Sequence, residues 1–109
     1  MSFYRIQDRS IPASQLLDPE FQTSESYCTG TVRAGVSVCG SVEELATYFA
    51  QTGIPFDPRT AVMVEVKGFY ADEKDEDDAL GALLIIPTEI VAVTEIPDEF
   101  YATIDSIYA

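Results

Sequence analysis

The C-terminal half of the chain carries three β-prone apolar runs with no helical pattern between them. Residues 60–67 alternate between apolar and polar side chains, residues 80–86 are almost wholly apolar, and residues 89–96 alternate again. A Pro-Thr pair at 87–88 separates the last two runs, and so short a break favours an antiparallel hairpin. Successive strands without intervening helices are typical of the α+β class.

One helix is signalled unusually clearly in the middle of the chain. Ser41 is a good N-cap, and Glu44 three residues later completes a capping box. Apolar side chains then recur at helical spacing as far as Ala50, and Gly53 with Pro55 provides a stop. The pattern predicts an amphipathic helix of about three turns.

The N-terminal third is less regular. Residues 3–6 form a short β-prone run, and Ser10 with Pro12 predicts a short helix through Leu17. Residues 18–30 are polar and indicate a long loop. Residues 32–38 alternate as a strand would, with Gly35 as a possible bulge.

A closing helix is predicted over residues 97–108. It begins with Pro97 and two acidic residues, which suit the positive end of a helix dipole. Its sheet-facing residues are expected to be Phe100, Ile104 and Ile107. Taken together, residues 1–109 predict a single α+β domain, with a mainly antiparallel sheet of four to five strands and two to three helices.

The charge of the chain restricts its partners. Asp and Glu number 19 against 6 Lys and Arg, a formal net charge of −13. Such a protein is repelled by phosphate backbones and anionic membrane surfaces, so we expect neither direct nucleic-acid binding nor membrane binding. A basic protein surface or a metal cation fits better. Alternatively, the acidity serves only to keep the protein in solution.

Six carboxylates fall within seven residues of one another in the second half of the chain. These partner-binding candidates are Asp72, Glu73, Asp75, Glu76, Asp77 and Asp78. Repulsion keeps such a run extended and hydrated, so it can attract a basic partner. The run lacks the spacing and the glycine of a calcium-binding EF-hand loop, and we predict no metal site.

Several catalytic classes are excluded by composition. The chain has no histidine, so it can build no Ser-His-Asp or Cys-His arrangement and no usual zinc site, and it has no glycine-rich phosphate loop. The sequence therefore favours a binding protein over an enzyme.

The cysteines and the N-terminus bear on the compartment. Cys28 and Cys39 are expected to be free thiols in the cytoplasm, with a Cys28–Cys39 disulfide as the alternative. We expect no secretory signal and no membrane span, because the N-terminus has no basic segment before an apolar one and no apolar run approaches 18 residues.

Arg5 stands out because it lies inside a strand-forming run, between Tyr4 and Ile6. A buried arginine is unfavourable unless it meets an anion. The counter-ion can be one of the protein's own carboxylates or a bound ligand.

The order of these motifs resembles ADP-ribosyltransferase domains. Tyr4-Arg5 lies on an opening strand, and Gly35-Val-Ser37 precedes a helix that carries Ala46 and Phe49. The stretches 62–66, 83–87 and 90–93 are similar to the closing strands of that family. The resemblance implies that Arg5 would hold a phosphate of NAD and that Ser37 would help to shape the nicotinamide pocket.

The chain departs from the family at its reactive positions. Gly81 and Ala82 stand where the catalytic glutamate opens the late strand, and the serine-threonine-serine motif is replaced by Ser37-Val38-Cys39. The resemblance therefore implies a degenerate relative without a catalytic residue.

Two functions follow as hypotheses. The first is a small acidic module without a cofactor that binds or inhibits a basic protein, as immunity proteins, anti-defence inhibitors and nucleic-acid mimics do. The alternative is an NAD-binding ADP-ribosyltransferase-like domain.

Overall fold

Four antiparallel strands close into a small barrel in the computed structural model, which describes residues 2–25, 32–71 and 78–108. Two further short strands form a separate hairpin. The predicted α+β class and antiparallel pairing are confirmed, whereas closure into a barrel was not predicted. Around the barrel the order is β1–β4–β6–β5, and the strands are β1 (Ser2–Asp8), β2 (Thr23–Glu25), β3 (Val32–Ala34), β4 (Val36–Cys39), β5 (Ala61–Tyr70) and β6 (Ala82–Thr94).

β1 pairs with its two neighbouring strands over very different lengths. Its pairing with β5 runs the whole length of the strand, from Ser2 opposite Lys67 to Asp8 opposite Ala61. Its ladder with β4 consists of the single residue pair Tyr4–Cys39. The barrel is therefore closed by a short junction between β1 and β4, which we call the seam.

Residues 82–94 form one long strand, so the predicted hairpin at 87–88 is wrong. Pro87 lies opposite Gly68, where the pairing register of β5 and β6 shifts. A bulge accommodates proline, which has no N–H to give to a ladder. A Cβ at Gly68 would overlap the Ile86 carbonyl oxygen, so glycine permits the close approach of the two strands. Pro87 therefore marks a bend in the strand and not its end.

The N-terminal connections also differ from expectation. The predicted loop over 18–30 contains the 3-10 helix Pro19–Phe21 and β2, which pairs with β3. Gly35 has a φ of +117° and divides the predicted strand 32–38 into β3 and β4, which confirms an irregularity there. The predicted short helix is the 3-10 helix Ala13–Leu17, which follows Pro12 and has no side-chain cap.

Two α-helices lie where the sequence predicts them: α1 (Val42–Thr52) and α2 (Asp98–Tyr108). The Glu44 N–H donates to Ser41 Oγ over 3.1 Å, as the capping pattern requires. Gly53 ends α1 with a φ of +67°, and its N–H donates to the Phe49 carbonyl over 3.0 Å. No helix in the described ranges is long and apolar enough to cross a membrane.

Apolar side chains form two cores. One fills the barrel and includes Phe3, Val36, Val38, Val62, Val64, Val66 and Ile85. The other lies between the helices and the outside of the barrel and includes Cys39, Leu45, Ala46, Ala61, Met63, Ile96 and Phe100. Phe100 is fully buried and Ile104 packs against the second core, as predicted, whereas Ile107 is 43% exposed. The last turn of α2 extends past the apolar surface that it was expected to cover.

Candidate functional site

Arg5 lies at the seam of the barrel. Its neighbours Tyr4 and Ile6 pack against the helical layer, and Arg5 is opposite Val64 of the barrel core. Because side chains alternate along a strand, the Arg5 side chain starts from the face of β1 that is turned toward the interior of the barrel. Its Nη1 donates to the Ser37 carbonyl oxygen over 3.4 Å. The guanidinium thus reaches β4 where β1 and β4 have stopped pairing through their backbones.

The positive charge of Arg5 is poorly satisfied. The residue as a whole is partly exposed, but its Nε is shielded from solvent and has no hydrogen-bond partner among the described residues. The ion pairs among the described residues are Arg9–Glu95 at 3.4 Å and Arg59–Asp57 at 3.2 Å, and neither includes Arg5. Burial of the Arg5 guanidinium lowers its pKa, because a desolvated charged form is disfavoured. The sequence allowed two counter-ions for Arg5, a carboxylate of the protein or a bound ligand. Within the described ranges, no carboxylate forms an ion pair with Arg5.

Arg5 and Ser37 line one pocket of about 280 Å³, so the structure brings together the two residues singled out from the sequence. Tyr48 and Phe49 of α1 contribute aromatic rings, and Ile54 follows the end of the helix. The remaining lining residues are Ile6, Val38, Cys39, Leu45 and Ala82. The pocket therefore combines one cationic group with apolar and aromatic walls.

A second pocket of about 270 Å³ adjoins the first, since both are lined by Ile6, Phe49 and Ile54. It contains two carboxylates, Asp8 and Asp57. Hydrogen bonds from Ser10 lower the pKa of Asp8, and hydrogen bonds from Arg59 lower the pKa of Asp57. These carboxylates already have donors of their own, with the Ser10 N–H at 2.9 Å from Asp8 and the Arg59 N–H at 2.9 Å from Asp57.

Most of the predicted acidic site lies outside the described residues. Asp72, Glu73, Asp75, Glu76 and Asp77 lie outside the described residues, and Asp78 begins the 3-10 helix Asp78–Leu80. Cys28 also lies outside them, whereas Cys39 is buried. No cluster of His, Cys, Asp or Glu suited to a metal ion occurs in the ranges described.

The acidic side chains that the structure does describe are almost all at the surface. Glu65 is partly buried, and the others are exposed. These exposed residues are Asp8, Asp18, Glu20, Glu43, Glu44, Asp57, Glu89, Glu95, Asp98, Glu99 and Asp105. With two ion pairs among the described residues, this negative surface is largely unneutralised.

Sequence reasoning missed the aromatic wall of the Arg5 pocket. Tyr48 and Phe49 belong to a helix whose apolar stripe predicts only a packed core, and Phe49 does pack on Phe100 with ring centroids 5.7 Å apart. The available signal was the apolar triplet Ile54-Pro55-Phe56 directly after the Gly53 cap. An apolar segment at that position indicates a contact with a neighbouring surface. Ile54 lines both pockets, and Pro55 and Phe56 line the second one.

Comparison of this chain with protein-family models, curated proteins and solved structures gave no match.

Proposed function

We propose that the protein is an acidic module that binds a basic surface of another protein. The observation that carries this proposal is the net charge of −13 together with the exposure of nearly every described carboxylate. Exposed charges of one sign attract a basic partner over a distance of about a Debye length and speed its association. Inhibitory, immunity-type and nucleic-acid-mimicking proteins all use such a surface.

An aromatic pair supplies an anchor beside the acidic run. Phe69 and Tyr70, at the end of β5, are each 59% exposed, and the acidic run begins two residues later in the sequence. The Tyr70 ring also stands edge-on to Phe3 at 5.8 Å, which ties it to the barrel core. Aromatic residues dominate the centres of protein interfaces, and charged residues form the rims. The partner that fits has basic residues around an apolar contact.

The test compares two variants that lose equal charge. One neutralises the run (Asp72→Asn, Glu73→Gln, Asp75→Asn), and the control neutralises α2 (Asp98→Asn, Glu99→Gln, Asp105→Asn). Immobilised proteins are exposed to host lysate at low and high salt, and retained proteins are identified. We expect a basic protein that the parent and the control retain at low salt, and that the run variant and Phe69→Ser lose.

Two results would refute the proposal. One is that no basic protein is retained at low salt. The other is that both charge variants lose the retained protein equally, since that pattern shows attraction to net charge without a defined surface.

The alternative function, an NAD-binding domain of ADP-ribosyltransferase type, is favoured by one observation. Arg5 and Ser37 meet at a single pocket, as the resemblance requires. Pockets for drug-sized ligands measure about 300–1,000 Å³, so a pocket of about 280 Å³ accommodates only part of a dinucleotide. Calorimetric titration with NAD tests this alternative, and equal affinity of the parent and of Arg5→Met would remove it.

A further inference from the structure

We infer that the pocket between β1, β4 and α1 binds a small organic anion, a single carboxylate or phosphate on a flat apolar body, with Arg5 as its counter-ion. This inference is independent of binding to a basic protein, because it concerns a different surface and the opposite charge. It rests on three features of the pocket: an unsatisfied guanidinium, its aromatic walls and its size.

The guanidinium has unused hydrogen-bonding capacity. Arginine carries five N–H donors in a planar fork that matches the geometry of a carboxylate or a phosphate. One donor reaches the Ser37 carbonyl oxygen over 3.4 Å, a long bond to a neutral acceptor, and the enclosed Nε has no acceptor in the part of the chain that the structure describes. A buried N–H without an acceptor destabilises a fold. A bound oxyanion would supply the missing partner.

The other residues that line the pocket indicate the shape and polarity of the uncharged part of the ligand. Tyr48, Phe49, Leu45 and Ile54 line the same pocket as Arg5 and give it apolar and aromatic surface. Among the described residues, none that lines this pocket is acidic. A flat ring would bury its faces against the aromatic side chains while its charged group lies at the guanidinium.

The volume limits how large the ligand is. An apolar cavity of about 150 Å³ holds one benzene ring, so a pocket of about 280 Å³ holds one or two rings with a charged substituent. The ligand is thus smaller than a dinucleotide. Carboxylate and phosphate both satisfy the guanidinium, and the experiment distinguishes between them.

The experiment titrates the protein with benzoate, phenyl phosphate and benzamide and follows backbone amide shifts by NMR. Benzamide is the neutral equivalent of benzoate. We expect at least one anion to bind with shifts at Arg5, Ser37 and Tyr48, and benzamide to bind at least roughly tenfold more weakly. Hydrogen bonds to charged groups contribute about 1.5–3 kcal/mol, so Arg5→Met should weaken anion binding roughly 10- to 100-fold.

Matched variants separate the pocket from the overall charge. Lys67→Met also removes one positive charge, from an exposed position on β5, and should bind the anions as the parent does. Ile54→Glu places a negative charge at the rim and should weaken both anions, whereas Ile107→Glu on α2 should not. Both isoleucines are exposed, at 40% and 43%, so this pair tests the pocket even if Arg5→Met fails to fold.

Three results would overturn the inference: no shifts with either anion at millimolar concentration, equal affinity for benzoate and benzamide, or equal effects of Ile54→Glu and Ile107→Glu. Binding of NAD without binding of either small anion would also overturn it, in favour of a dinucleotide. The stronger of the two anions identifies the charged group as a carboxylate or a phosphate.

Discussion

Arg5 carries a positive charge within the fold, and the surrounding residues offer its guanidinium few hydrogen bonds. Its Nη1 makes one long bond and its Nε makes none. Methionine has a similar length and no charge, and it would place an apolar side chain against the barrel core.

We therefore expect Arg5→Met to be more stable than the parent, by about 1–3 kcal/mol, the free energy of leaving a buried polar group unpaired. Urea unfolding measures this difference, and Lys67→Met serves as the control for charge. A less stable Arg5→Met variant would show instead that the guanidinium is a structural element of the seam.

Asp57 provides a prediction about acid stability. Hydrogen bonds from Arg59 hold the pKa of Asp57 below its ordinary value of 3.8. A carboxyl whose pKa is lower in the folded state stabilises the fold above its unfolded pKa, and this contribution is lost as pH falls through the folded value.

The parent should therefore lose stability more steeply than Asp57→Asn as pH falls below about 4. Urea midpoints measured at a series of acidic pH values test this expectation. The side chain of Arg59 is 88% exposed, so we expect a small effect. Parallel curves for the two proteins would contradict it.

Both residues assigned to a ligand from the sequence lie together in the structure. Arg5 could be singled out because a charge within a strand is unusual, and Ser37 because of the resemblance. The helical spacing of Tyr48 and Phe49 did not predict the aromatic wall, because an aromatic residue that lines a pocket has the same spacing as one in a core. Phe49 belongs to both: it packs against Phe100 and lines both pockets.

At the level of elements, α1 was predictable because its signals are local. A capping serine, a glutamate three residues later and a terminal glycine act through neighbouring backbone groups, whatever the tertiary structure. Loss of the Ser41 hydroxyl leaves the Glu44 N–H without its acceptor. Ser41→Ala should therefore lower the free energy of unfolding by about 1 kcal/mol, and Ser41→Asp should restore most of it. Urea unfolding of the two variants tests this, and equal stability of Ser41→Ala and the parent would contradict it.

The long strand β6 was not predictable, because the effect of Pro87 depends on a residue almost twenty positions away. Proline usually interrupts a ladder, and only the glycine opposite, Gly68, lets the two strands approach closely enough to continue past it. A sequence pattern read locally contains no information about that pairing.

Two glycine variants separate steric from conformational requirements. Gly68→Ala places a methyl group on the Ile86 carbonyl oxygen, which cannot move without shifting β6, so we expect a loss of about 3 kcal/mol or more. At Gly53 an added Cβ meets nothing within 4 Å, and only its φ of +67° opposes alanine. Gly53→Ala should lose about 1–2 kcal/mol. Thermal unfolding compares them, and a milder Gly68→Ala would contradict the proposed bend.

At the level of the whole molecule, the charge and the Arg5 pocket oppose each other. The field of a protein with a net charge of −13 attracts cations and repels anions, so a small anion at Arg5 binds against the overall field. Salt weakens attraction and repulsion alike.

The two proposed activities should therefore respond to salt differently. As ionic strength rises, binding of a basic protein should weaken sharply, whereas binding of benzoate or phenyl phosphate should not weaken. Both can be measured by calorimetry in the same salt series. If both weakened in parallel, one acidic surface, and not two distinct sites, would account for the binding.

Barrel closure was the architectural feature that the sequence did not predict. Strand number, antiparallel pairing and the helical layer follow from apolar periodicity, and these expectations were largely confirmed. Closure depends on the pairing of β1, near the start of the chain, with both β4 and β5. The pairing of two strands that are distant in the sequence does not change the apolar periodicity of either strand, so a sequence pattern cannot reveal it.

The single residue pair that joins β1 to β4 has a consequence for motion. Parting these strands breaks few main-chain hydrogen bonds, so transient opening of the wall requires less free energy there than between β5 and β6. Backbone amides of β4 that face β1 should accordingly exchange with deuterium sooner than those in the middle of β5. An anion bound to Arg5 would connect β1 and β4 across the seam. Its binding should therefore slow the exchange of backbone amides on both strands.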